Sequence, residues 1–150
     1  MSIISLASGA SLRRGYEYYN NGHVTLHTQL SEHEFQAKVK GNGRCYDVNI
    51  DIEHPRKSKC NCPHADGTRR ICKHMVALYF TIFPNEAEGF FREVVEYERE
   101  EEERQQELED RVIKYINRLT KQELRDELCD ILFDGPEWLL ERFIYEKIEW

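Results

Sequence analysis

Between Lys59 and Leu78 the chain reads KCNCPHADGTRRICKHMVAL, a stretch that holds three of its five cysteines and two of its six histidines. Cys60 and Cys62 are separated by one residue, nine residues follow, and Cys72 and His74 repeat the spacing, giving C-x-C-x9-C-x-H. Two chelating pairs joined by a loop supply what a tetrahedral zinc ion requires, soft thiolates and an imidazole at about 2.0 to 2.3 Å. The intervening Pro63-His64-Ala65-Asp66-Gly67-Thr68 is polar and rich in turn formers, as a loop folding around an ion should be. His64, two residues past Cys62, is an alternative to His74 or an outer ligand, although only His74 completes the symmetric pairing. Three cysteines and one histidine fill all four tetrahedral positions and leave none on which a water could be activated. The expectation is one structural Zn2+ held by Cys60, Cys62, Cys72 and His74, with no catalytic residue and no enzymatic activity.

Other chemistries for these side chains fit less well. A C-x-C redox dithiol would leave the second pair idle and lacks a thioredoxin-like strand and helix around it. A Cys-His nucleophilic dyad lacks a third member to orient the histidine. Zinc deaminases need H-x-E followed by P-C-x-x-C, which this sequence does not contain. Of the remaining cysteines, Cys45 alternates with Asp47, Asn49 and Asp51 on the polar side of a strand and reads as an ordinary thiol. Cys129, among Leu128, Ile131 and Leu132, reads as a small core residue. His23, His27, His33 and His54 show no pairing, and Tyr16 and Tyr19 read as core aromatics.

The elements that must position the ligands follow from periodicity. Leu12, Gly15, Tyr16 and Tyr19 fall at helical spacing and end at Asn20-Asn21-Gly22, a short N-terminal helix. Val24, Leu26, Thr28 and Leu30 then alternate with polar residues, as do Phe35, Ala37 and Val39, and Tyr46, Val48, Ile50 and Ile52. Each set has the period of two of a half-buried strand. Gly41-Asn42-Gly43 supplies the positive backbone angles of a tight hairpin between the last two, so a three-stranded antiparallel meander is expected. Met75, Leu78, Tyr79 and Ile82, widened by Val76, Phe80 and Phe83, predict a helix from about Cys72 that is buried on most sides. Pro84 is its stop, and Asn85 with Glu88 is a capping signature for the next helix, which runs as far as Leu119. From Glu98 to Glu107 that helix has no apolar residue, and Glu100 with Arg104 and Glu107 with Arg111 are spaced to support a solvated helix. Thr120 with Glu123 and Asp134 with Glu137 cap two further helices, lined by Leu124, Leu128 and Ile131, and by Leu140, Phe143, Ile144 and Ile148; the last continues without a stop signal to Trp150.

Charge divides the chain in the same place. Residues 1–83 carry 11 Lys and Arg against 7 Asp and Glu, a net charge of +4; residues 84–150 carry 10 against 21, a net charge of −11. The fold class is therefore α+β: a first domain over 1–83 with helix, meander, zinc site and buried helix, and an acidic helical region over 84–150. The opening MSIISLASGA lacks a basic start followed by a long apolar core, and no run of eighteen apolar residues occurs. With an odd cysteine number as well, a cytoplasmic, reducing location and no membrane partner are expected.

The motif and its surroundings resemble the SWIM-type zinc finger, with ligands C-x-C, a variable gap, then C-x-H. Cys62-Pro63 and Cys72-Lys73-His74-Met75-Val76-Ala77 are similar to that family's CP and CKHxxA. Upstream, Arg14-Gly15-Tyr16-Glu17-Tyr18-Tyr19-Asn20-Asn21-Gly22-His23-Val24 resembles the RGxxYxxxGxV stretch preceding many bacterial members, and Ala37-x-Val39-x-Gly41 with Tyr46-x-Val48 resembles the strand pair between. The resemblance covers about residues 12–80 and implies a nucleic-acid or protein-binding module, often beside helicase, transposase or recombination machinery. It implies no catalysis.

Arg56, Lys57, Lys59, Arg69, Arg70 and Lys73 flank or lie within the ligand region, with Asp66 the one carboxylate near them after His54. Folded around zinc, they would form a surface able to contact the phosphates of DNA or RNA. A bland reading stands beside it: the cations solvate a small loop, or neutralise a Cys3His zinc centre of net charge −1. The first functional expectation is an accessory factor of DNA-processing machinery, partnered by nucleic acid and by a protein such as a helicase-type ATPase. The second is a protein-protein adaptor in which zinc is structural and the acidic helices bind a partner or self-associate.

Overall fold

The computed structural model describes residues 2–148. Two short helices open the chain, α1 (Ile3–Leu6) and α2 (Gly9–Asn20). Ser2 and Ser5 form a reciprocal capping box on α1, and Ser8 Oγ accepts the Ser11 amide proton at 3.2 Å to start α2. The sequence reading anticipates the second helix; α1, only four residues long, carries too little periodicity to be read.

The strands follow as β1 (Val24–Gln29), β2 (Glu34–Gly41), β3 (Arg44–Asp51) and β4 (Lys59–Cys60). They form one antiparallel sheet in the order β1-β2-β3-β4, so the expected meander is extended by a fourth, two-residue strand. Phe35, Ala37 and Val39 on β2 and Val48 and Ile50 on β3 are buried, as period-two alternation requires. The β2–β3 turn places Asn42 and Gly43 at positive φ, 49° and 73°, the combination that matches hairpin twist. In β1 the alternation misleads. An extra residue enters between Thr25 and Thr28, Leu26 adopts φ 50°, and its side chain is 79% exposed instead of facing the core. Leu30, the last residue in that alternation, lies beyond the strand and is exposed.

Helix α3 (Lys73–Ile82) is the centre of the core. It contacts α1, α2 and all four strands, and His74, Met75, Val76, Ala77, Leu78 and Phe80 are buried. Full burial of each large apolar side chain in that run stabilises the fold by about 1.5–3 kcal/mol. Gly15 of α2 permits the close crossing: a Cβ there would lie 2.4 Å from Val76 Cγ1.

Helix α4 (Pro84–Ile116) begins at Pro84 itself, so the proline that ends α3 is the first residue of the next helix, where its missing N–H costs nothing. The expected Asn85–Glu88 cap is not formed, because both residues already lie inside the helix. Its end at Ile116 falls three residues short of the expected Leu119. The chain divides into two compact units, one ending at Glu96 and one beginning at Tyr97. The sequence reading ended the first domain at residue 83; Ala87 is buried, Phe91 stacks on Tyr16 and Phe90 packs tilted against it, which carries the first unit into α4.

In the second unit, α5 (Lys121–Phe133) has the expected Thr120–Glu123 capping box, with Glu123 Oε2 accepting from the Thr120 amide at 2.7 Å. Helix α6 (Glu137–Lys147) starts after Pro136 with no side-chain cap, and Asp134 instead ends α5. Along α4, Arg99 pairs with Glu103 at 3.0 Å and Arg104 with Glu101, whereas the expected Glu100–Arg104 and Glu107–Arg111 pairs are not formed. Leu132 is the unit's one buried residue among those described. Cys129, Leu124, Leu128 and Ile131, read as inward-facing, are exposed, because the helices leave these apolar stripes without an internal cover. The expected extension of the last helix through Glu149 and Trp150 lies outside the described residues. Among the described residues no helix is long and apolar enough to cross a membrane.

Candidate metal centre

The first chelating pair is built from the sheet edge. Asp51 N donates to Ser58 Oγ at 3.0 Å and Asp51 Oδ1 accepts from His54 N at 2.6 Å, fixing the 3-10 turn Pro55–Lys57 that reverses the chain after β3. Lys59 and Cys60 then pair with Asn49 and Val48. Asn61 prolongs the pairing, its N donating to Asp47 O at 3.3 Å and its Oδ1 accepting from Asp47 N at 2.9 Å. Cys60 and Cys62 therefore flank a residue clamped to β3 and turn inward, 3% and 2% exposed. The loop closes as tight turns, with Ala65 N and Asp66 N bonded to Cys62 O and Gly67 at φ 67°. Cys72 is the extended N-cap of α3, and His74 follows within its first turn.

The donor atoms of Cys60, Cys62, Cys72 and His74 lie within 4.8 Å of one another, and all four residues are buried. His74 Nδ1 lies 3.6 Å from Cys60 Sγ and 3.9 Å from Cys72 Sγ. A tetrahedron built from ordinary zinc-sulfur and zinc-nitrogen lengths has a sulfur-nitrogen edge of about 3.6 Å, so the donor set fits one zinc ion. His64 stands apart from the set with an exposed side chain, which leaves the paired spacing as the ligand assignment.

Electrostatics point the same way. The hydrogen bond Cys60 donates to Cys72, followed by burial and the negative charge on Cys72, pushes the Cys60 thiol up; burial and then the Cys72 charge push up Cys62. Cys72 is held down, first by the hydrogen bond from Cys60 and then by His74. Three adjacent buried sulfurs cannot all be anions unaided, and a divalent cation is what allows the remaining two protons to leave. Bound zinc supplies cross-linking between sheet edge and helix α3.

Sequence reasoning missed the aromatic frame around the histidine. Tyr46 stacks on His74 with centroids 4.4 Å apart, and Tyr18 meets it edge-on at 5.4 Å while stacking on His23. Gly41 faces both: a Cβ there would lie 2.9 Å from the Tyr18 hydroxyl and 3.3 Å from His74 Nε2. That Nε2 is buried and has no hydrogen-bond partner among the described residues. The available signal was the run of tyrosines in α2, of which Tyr16 and Tyr19 do pack against the core.

Of the six basic residues, Arg56 and Lys57 sit on the 3-10 turn, Lys59 on β4, and Arg69 and Arg70 on the loop before α3, all exposed. Lys73 is different. Its Nζ donates to the Tyr18 hydroxyl at 2.7 Å and lies 4.2 Å above the Tyr18 ring, so it serves to join α3 to α2.

A closed Cys3His donor set of this kind, carried on a sheet edge and a helix start, defines a zinc-binding module with a structural ion. Residues 46–83, from Tyr46 on β3 to the end of α3, match the family model described as SWIM zinc finger, and the chain thus carries a SWIM-type zinc finger. No curated protein and no solved structure matches the chain.

Proposed function

We propose that this zinc finger is a non-catalytic nucleic-acid-binding module and that the chain acts as an accessory factor to DNA-processing machinery. The observation carrying this reading is the set Arg56, Lys57, Lys59, Arg69 and Arg70. All five are exposed on segments that the metal site holds in place, and among the described residues none of their side chains forms an ion pair or hydrogen bond. Cations left uncompensated in a chain of net charge −7 are suited to phosphate contacts. The closed ligand set supports a binding role over catalysis. The test is fluorescence anisotropy of zinc-loaded protein with labelled single- and double-stranded DNA and RNA at several salt concentrations. A log-log salt slope corresponding to about three or more phosphates is expected, lost in the variant carrying R56E, K57E, R69E and R70E; equal binding by that variant defeats the reading.

A second reading rests on the helical unit. Its acidic helices expose Leu128, Ile131, Phe133, Trp138 and Tyr145, apolar area that suits a protein partner such as a helicase-type ATPase, or a second copy of the chain. An adaptor of this kind would show no salt-dependent nucleic-acid binding and would change its sedimentation with concentration or with the partner.

A further inference from the structure

Between Arg111 and Ile148 the helical unit leaves eleven large apolar side chains 39–74% exposed. Part of this surface is ordered into stripes. Leu108, Val112 and Tyr115 on α4, and Leu124, Leu128 and Ile131 on α5, follow one another at four and three residues, the spacing by which one helix seats its side chains between those of another. The Tyr115 hydroxyl donates to Glu127 at 2.8 Å and ties the two striped helices together. Helices of 13 and 11 residues, the lengths of α5 and α6, are marginal in water without tertiary packing, yet Leu132 is the one buried residue of the unit among those described. Small units otherwise hold together through disulfides or a metal. Cys129 is the only cysteine in this one, and the zinc donors all belong to the first unit. Association is the remaining route.

Charge and area say what covers the stripes. The acidic excess of the unit is concentrated in residues 98–110, with 8 Asp and Glu against 2 Arg. Residues 111–148 hold 8 Asp and Glu against 7 Lys and Arg, a net charge of −1. A basic partner would be drawn to the first segment, whereas a second copy meets no like-charge excess on the second. Large apolar side chains have about 170 Å² of surface each, so at these exposures the eleven leave about 1,000 Å² open per chain; a two-fold pair covering two thirds of it removes about 1,300 Å² from water, within the range of stable interfaces. Two-fold pairing uses the same patch on both copies and needs no other component.

We propose that the helical unit is a homodimerisation domain, in which the stripes of α4 and α5 pack against those of a second copy. The inference rests on the second reading above, that protein covers this surface, and assigns it one occupant; it does not depend on nucleic-acid binding. Each assembly then carries two zinc fingers.

The experiment is sedimentation velocity of the zinc-loaded full chain over a dilution series, with circular dichroism and binding of an apolar-surface dye read on the same samples. Val112→Lys combined with Leu128→Lys places charge on both stripes at exposed positions; Glu100→Lys combined with Glu102→Lys, in the acidic run, is the control. Zinc content reports the first unit whether or not the helices melt. Wild type and control should have the mass of two chains, with helix content falling on dilution as the mass does, and the stripe variant should sediment as one chain, its self-association weakened about a hundredfold or more. A dimer that the stripe variant leaves intact overturns the proposal. A wild-type monomer that binds the dye also overturns it, and leaves the surface to a different protein. A wild-type monomer with full helix content and no dye binding overturns the second reading as well, because the stripes then have an internal cover.

Discussion

Replacing Gly15 with alanine tests how the metal-bearing helix is seated. The new Cβ would stand 2.4 Å from Val76 Cγ1, 2.5 Å from Val76 Cβ and 3.0 Å from the Lys73 carbonyl. Ordinary carbon contacts begin at 3.4 Å, so α2 and α3 must part by about 1 Å. Val76 cannot yield by rotation, because it is wholly buried and β-branched, with one favoured rotamer in a helix. Overpacking of this kind costs about 1–3 kcal/mol, and the upper end applies where the obstacle is a Cβ and a carbonyl. Alanine returns about 1 kcal/mol through helix propensity. The net loss is about 2 kcal/mol, or a fall in Tm of about 10 °C for a unit of this size. Thermal release of zinc to a chromogenic chelator is the assay, since it follows the finger unit whatever the C-terminal helices do. Gly9→Ala, with nothing within 4 Å, is the control and should hold its Tm or raise it. A Val76→Ala background removes Cγ1 but keeps the Cβ at 2.5 Å and the Lys73 carbonyl at 3.0 Å, so the cost of Gly15→Ala should fall only in part, by about 0.5–1 kcal/mol. A Gly15→Ala protein that melts with wild type, or whose cost is the same in both backgrounds, would refute the close crossing.

Two further outcomes follow from the metal centre. His74→Ala should abolish stoichiometric zinc retention after gel filtration, while His64→Ala should retain one zinc per chain, since His64 is exposed and outside the donor set; the reverse pattern would mean that the loop histidine is the ligand. Zinc affinity should fall as pH falls. Zinc binds thiolates, so each thiol that is protonated at the working pH must release its proton; Cys60 and Cys62, which hydrogen bonding, burial and the neighbouring sulfur charge push up, oppose binding as pH falls more than Cys72, which is held down. Titration calorimetry in buffers of different ionisation enthalpy counts the protons released, and a count near zero would contradict a set of three thiolate ligands.

The zinc ligands were legible because metal chelation leaves a signature in sequence distance alone: Cys60, Cys62, Cys72 and His74 come as two short-range pairs. The core strands were legible for a similar reason, since Phe35, Ala37 and Val39 alternate and are buried alternately. Leu26 shows where this fails. A bulge changes which way a side chain points without disturbing the apolar-polar alternation that is read, and only the pairing with β2 exposes it. Leu128, Ile131 and Cys129 fail differently. Periodicity establishes that a helix has an apolar face and says nothing about what covers it, and here no element of the unit does. Ion pairs in α4 depend on rotamers, so Arg104 pairs with Glu101, three residues back, and not with Glu100, four residues back, both spacings being within reach on a helix. The tyrosines around His74 escaped notice because Tyr18, Gly41 and Tyr46 meet it only after the sheet folds back on α2.

The compactness of the ligand set along the chain has a consequence for the order of folding. Cys60 and His74 are 14 positions apart, whereas the contact that seats α2 on α3, Lys73 with Tyr18, spans 55. Loop-closure entropy makes the shorter closure cheaper by about 1 kcal/mol before any contact is counted. Metal capture is therefore the local event, available to a chain whose sheet is still unpaired, and the docking of α2 is the late one. During synthesis α2 and the first three strands emerge before the segment they must pack against, and the ion gives that segment a formed nucleus on which the waiting elements close.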